Sequence, residues 1–158
     1  MTRSQRNPRD QSYEHGIMPP TYFFLALIAS IALHLIYPTG RVFVFPYIGL
    51  ALTLLGVVLN LWTDRLFKEG GTTVKPFEDP SLLITSGPFS ISRHPMYLGM
   101  ASILLGIAFI LGTFVSFVFP MLFIVAMELL FIPHEEEDLE RIFGEKYREY
   151  RRRVRRWV

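Results

Sequence analysis

Three groups of residues have types and spacings that can do chemistry. The first is Ser92-Arg93-His94-Pro95-Met96-Tyr97-Leu98-Gly99. Pro95 suits the first turn of a helix, where its missing N–H costs nothing. The residue before a proline is pushed out of the helical region, so Arg93 and His94 stand at a helix start. Free N–H groups and the dipole favour an anion there, and Arg93 adds a full charge. Tyr97 and Gly99 fall in the first turns, an aromatic with a polar tip and a gap that admits close approach. The same residues also suit a membrane interface, with Arg snorkelling, Tyr in an aromatic belt and Gly packing helices. The second group is His134-Glu135-Glu136-Glu137-Asp138, just after Pro133. Acids at the head of a helix answer its dipole. A carboxylate pair there can also bind hydroxyls or a cationic centre, or take a proton. The third is Glu128, the one ionisable side chain in the 37 residues Met96–Ile132. Charge inside an apolar span is costly and marks function by default. His34 and Asn60 are the other polar residues in apolar runs, each readable as satisfying a neighbouring helix. Asn60 and Asp64 are four apart on one helix face and can line the same cavity as Glu128.

Composition narrows the chemistry. The 158 residues suit one domain, and with 51% hydrophobic and 19% charged residues the chain is not disordered. There is no Cys, which excludes thiolate metal sites, Cys nucleophiles and disulfides, and no metal site is expected. The mean hydropathy of +0.32 points to a membrane.

Four apolar segments must position these groups: 21–37, 42–62, 96–112 and 113–132. Each is judged against the ~20 residues that cross a bilayer. Pro38-Thr39-Gly40 turns the chain between the first two, and Gly112-Thr113 folds the last two into a hairpin. Residues 1–20 are too polar for a signal peptide and form an exposed arm. The arm, the Thr63–Pro95 loop and the tail after Ile132 hold 15 of the 16 Lys and Arg residues, with Arg41 alone on the other side. The positive-inside rule then puts both termini and the loop in the cytoplasm, in an inner (cytoplasmic) or endomembrane. The loop runs through Gly70-Gly71 and an extended Gly71-Thr72-Thr73-Val74-Lys75-Pro76-Phe77. It keeps apolar side chains throughout, as a segment packed over a bundle mouth needs. The tail reads as a helix over residues 133–158, in which Leu139, Ile142, Phe143, Tyr147, Tyr150, Val154 and Trp157 form one apolar stripe, with Gly144 as a break. The arginines at 151–153, 155 and 156 then lie on anionic lipid, which we favour over nucleic acid as partner. The expected fold is an all-α integral membrane bundle of about four transmembrane helices. A cytoplasmic loop and an amphipathic C-terminal helix form its pocket.

In order around a membrane hairpin, GTTVKPF, SGPFSISRHPMYLG and EEEDLERIFGEKYREYRRRVRRW resemble the isoprenylcysteine carboxyl methyltransferase and phospholipid N-methyltransferase superfamily. The resemblance runs from about Asn60 to Val158. It implies a membrane enzyme using S-adenosylmethionine, with residues 21–158 as one methyltransferase domain. It carries Arg93, His94, Pro95, Tyr97, Gly99, Glu135, Glu136 and Leu139 over to cofactor binding. Tyr97, Phe143 or Tyr147 can face the sulfonium, and Glu135 or Glu136 can take ribose hydroxyls or the ammonium. Arg93, Glu136 and Glu128 are the catalytic candidates, a Glu serving as base for an amine or thiol acceptor. The implied acceptor is lipophilic: a prenylcysteine-like carboxylate, a phospholipid amine or a small thiol. Relatives often carry Arg shortly before the Glu pair, where this chain has Ile132-Pro133-His134. A sister branch, the NADPH-dependent sterol reductases, and a non-enzymatic protein keeping the fold are the alternatives.

Overall fold

The computed structural model describes residues 18–37, 40–42, 45–71 and 81–158. The N-terminal arm, the Pro38-Thr39 turn and the GTTVKPF segment from Thr72 onward lie outside these. Among the described residues the regular structure is all helical: α1 (Pro19–Ile36), α2 (Pro46–Glu69), α3 (Pro95–Leu111), α4 (Phe114–Leu130), α5 (Ile132–Phe143) and α6 (Glu145–Arg153). α1, α2 and the run beginning with α4 are long and apolar enough to cross a membrane, and α3 is a 17-residue apolar helix. Proline opens α1, α2 and α3 in the first turn, where no N–H is needed. Gly112 ends α3 at φ 72°, a left-handed conformation that glycine adopts without strain, and its N–H donates to Ala108 O at 2.9 Å. α4 then returns antiparallel.

α3 is the central helix. On one side it meets α2 at glycine contacts. A Cβ on Gly49 would lie 2.5 Å from Gly106 O, and one on Gly56 2.5 Å from Gly99 O. Glycines seven apart on both helices keep the backbones this close over two turns, as small residues do between membrane helices. On its other side α3 places Tyr97, Met100, Ala101 and Leu104 against Phe23 of α1 and Phe123 and Met127 of α4, with Phe131 and Ile132 at the end where α5 begins. α1 packs on α3 and α4, and α2 packs on α3. The outward apolar side chains of α1, α2 and α4, such as Leu35, Leu55 and Leu129, are left exposed for lipid.

The elements outside the spans cover one end of this bundle. A 3-10 turn, Gly87–Ser90, buries Phe89 against Tyr147 and Tyr150 of α6, and the Tyr150 hydroxyl donates to Phe89 O at 2.7 Å. The described end of the loop is therefore packed. Gly144 sits at φ 53°, ψ −122°, and divides the tail into α5 and α6. One expectation needs correction: the tail is not helical to its end. α6 stops at Arg153, and Val154 is extended at φ −121°, ψ 133°. Trp157 leaves the stripe and packs on the α1–α3–α4 core.

Candidate functional site

His94 caps α3 in a non-helical conformation, φ −125°, because Pro95 follows it. Arg93 and His94 are thereby held at the helix start, facing the first turns of α5. Phe131 turns the chain out of α4 and starts α5 within one residue, which brings Glu135 and Glu136 to the same place.

Glu136 is the hub. Its carboxylate is buried, and Oε1 receives Arg93 Nη2 at 3.0 Å and Arg156 Nε at 3.0 Å. His94 Nε2 lies 3.4 Å from the same oxygen, and Arg156 Nη2 donates to Oε2 at 2.7 Å. Burial works against the charge on Glu136, but His94, Arg156 and Arg93 outweigh it and hold its pKa down to about 2. His94 also places Nδ1 3.3 Å from Glu135 Oε2. Burial opposes its charge as well, yet the two carboxylates raise its pKa above the usual histidine value. When protonated, the ring can donate to both acids. Tyr97 stacks on the imidazole with planes 6° apart and donates its hydroxyl to Glu135.

At this site three buried donors have no partner among the described residues: Nε and Nη1 of Arg93, and the hydroxyl of Tyr147. The Arg93 side chain is 8% exposed and Tyr147 is fully buried. Burial, with Glu136 nearby, pushes the Tyr147 hydroxyl up to about 12, so it is a donor at neutral pH. Buried donors without partners are costly, and a ligand, ion or water that accepts from them removes that cost. On the other face of α5 an open cleft of about 360 Å³ is lined by Pro133, Glu137, Glu140, Arg141 and Arg151, with Glu136 and Arg156 as its shared wall.

Residues 44–146 match the phospholipid methyltransferase family. The chain belongs to that family. Relatives of this phospholipid methyltransferase family member include the protein-S-isoprenylcysteine O-methyltransferase of Schizosaccharomyces pombe, 38% identical over 46% of this chain and 31% of the relative. The probable protein-S-isoprenylcysteine O-methyltransferase of Oryza sativa subsp. indica is 29% identical over 82% of this chain and 69% of its own length. An uncharacterized Haemophilus influenzae protein is 38% identical over 40% of this chain and its whole length. The match thus spans about a third of the yeast relative. No solved structure matches. A methyltransferase family implies S-adenosylmethionine as methyl donor, and the empty donors of Arg93 and Tyr147 fit its anionic and hydrogen-bonding groups.

The structure brings together Arg93, His94, Pro95, Tyr97, Glu135 and Glu136. Leu139 packs with the Phe89–Tyr147–Tyr150 cluster. Gly99 stands apart from the rest. Its missing Cβ would meet Asn60 Oδ1 at 2.5 Å, so the gap read as access for a ligand is filled by α2. Asn60 Oδ1 is buried there without a hydrogen-bond partner, and Asp64 pairs with Lys68 at 2.6 Å. His34 keeps a buried, unpartnered Nδ1 in α1. Glu128 reaches the site through residues that sequence reasoning assigned to lipid. Arg156 Nη1 donates to Glu128 Oε1, and Trp157 Nε1 donates to Oε2 at 3.0 Å. A charge run followed by Trp carries no signal for partners 20 and 28 residues away.

Proposed function

We propose that this chain is a membrane-embedded S-adenosylmethionine-dependent methyltransferase acting on a lipophilic acceptor, with residues 21–158 as its membrane domain. The observation that carries the reading is the pair of empty, buried Arg93 donors beside the Tyr147 hydroxyl, at the cytoplasmic end of α3. Arg93 would hold an anionic group of the cofactor, which supplies an activated methyl group. Tyr147 and the Glu135 carboxylate, oriented by Tyr97 and His94, offer further hydrogen bonds. The buried carboxylate of Glu136 fixes Arg93 in place rather than meeting the cofactor. Methyl transfer is an in-line displacement, so the protein's part is positioning and exclusion of water. A carboxylate acceptor needs no base. An amine or thiol acceptor must lose a proton, and Glu128 is the group at the membrane level that can take it.

The experiment is a calorimetric titration of detergent-solubilised protein with S-adenosylhomocysteine, and with NADPH as control. Arg93→Ala is expected to weaken S-adenosylhomocysteine binding by about 1.5–3 kcal/mol, the range for a charge-assisted hydrogen bond. Unchanged affinity in this variant would remove the pocket.

The 15 basic residues on one side support cytoplasmic termini, and the exposed arginines 151–153 and 155 support contact with anionic lipid. With no native Cys, Thr39→Cys should react with an impermeant maleimide on intact cells and Ser4→Cys should be protected. The reverse pattern would invert the topology.

A further inference from the structure

Residues 154–158, non-helical from Val154 on, form a strap against the start of α3. Its backbone is stitched to the residues that present the site. The Arg93 N–H donates to Arg155 O at 3.0 Å. The Ser92 hydroxyl donates to Arg156 O at 2.7 Å and accepts the His94 N–H at 3.1 Å. The side chains of the strap act on two separate carboxylates. Nε and Nη2 of Arg156 clamp both oxygens of Glu136, and Nη1 reaches across to Glu128 of α4. Trp157 takes the second oxygen of Glu128 and lays its indole on the α1–α3–α4 core. Both oxygens of Glu128 are thus engaged by the strap, while its side chain remains 35% exposed. An acceptor presenting a group to Glu128 meets Arg156 and Trp157 first.

We propose that residues 154–158 are a latch between the cofactor anchor and the acceptor mouth, with Arg156 as its positioning residue. Arg156 ties Glu136, and through it Arg93, to Glu128, and Trp157 stays across the mouth until an acceptor head group displaces the strap from Glu128. The inference rests on the methyltransferase reading of the same site. The bridge needs a planar, forked cation, because three of its donors point at two carboxylates in fixed directions. A lysine carries the charge without the fork and does not replace it. The two ends of the latch are coupled, so a change at Glu128 is felt at Arg93.

The test uses a Trp62→Phe protein in nanodiscs, in which Trp157 is the sole tryptophan of the two in the sequence. Two quantities are read: acrylamide quenching of Trp157 emission, and the dissociation constant for S-adenosylhomocysteine. Arg156→Gln and Arg156→Lys should each raise the quenching constant at least threefold and weaken S-adenosylhomocysteine at least tenfold. Glu128→Gln, which is isosteric, should raise quenching by a smaller amount and weaken S-adenosylhomocysteine a fewfold. Combined with Arg156→Gln it should add nothing, because coupled residues are not additive. Should Arg156→Gln fail to fold, Glu128→Gln alone decides on the same two quantities. Quenching and affinity equal to the reference protein, full rescue by Arg156→Lys, or additive effects of the two substitutions overturn the latch. A reference protein that does not bind S-adenosylhomocysteine overturns the methyltransferase reading instead, and the quenching of Trp157 still judges the latch.

Discussion

Glu136→Ala is expected to lower stability by about 3–5 kcal/mol, as removal of one partner from a buried ion pair does. The side chain is 5% exposed, and its loss leaves the Arg93 guanidinium buried against no carboxylate. The shift in its pKa from 4.5 to about 2 gives a similar figure, about 3 kcal/mol at neutral pH. The sign fixes the pH dependence. The folded pKa of Glu136 is depressed, so its contribution is present above the ordinary carboxylate value and is lost as pH falls through about 2. The folded pKa of His94 is raised, so its contribution is present below 6.5 and is lost as pH rises through the folded value. The deficit of the variant is therefore greatest in the mildly acidic range between them. Dodecyl sulfate titration of the micellar protein at a series of pH values measures it. A deficit below about 1 kcal/mol, or one that does not vary with pH, contradicts the hub.

Gly106→Leu is expected to cost about 3 kcal/mol or more, at the upper end for overpacking. A Cβ at this position would lie 2.5 Å from Gly49 O and 2.7 Å from Thr53 N, both backbone atoms that cannot swing aside. α2 must then move off α3, and Asn60 moves with it from Gly99 near the site. Gly40→Ala is the comparison, since nothing lies within 4 Å of a Cβ there, and it should stay within about 0.5 kcal/mol of the parent. The same dodecyl sulfate titration distinguishes them. Equal midpoints for the two variants would mean that α2 and α3 are not packed this way.

The helices could be read from the sequence because apolar runs and their punctuation are local. Gly112 turns the hairpin, Pro95 starts α3 and Gly144 breaks the tail, each for a backbone reason confined to a few residues. The meeting of Arg93, His94 and Tyr97 with Glu135 and Glu136 follows from motif order, since the helix start and the acidic turn both fall at the same end of one hairpin. Asn60 and Arg156 were not legible. A polar residue in a span does not say which neighbour it faces, and Asn60 proved to fill the notch at Gly99. An Arg in a basic cluster looks like its neighbours, and only the extended backbone after Val154 sends Arg156 inward while Arg155 stays exposed. Periodicity reports helix faces and is silent where the helix has ended.

The stitch between Ser92 and Arg156 joins residues 64 apart in the sequence. At about 5–20 residues per second of synthesis, Arg93 leaves the ribosome about 3–13 s before its strap exists. Glu136 arrives between the two. Insertion of the first three spans therefore precedes assembly of the polar cluster, and Arg93 waits at the start of α3 first for Glu136 and then for the strap.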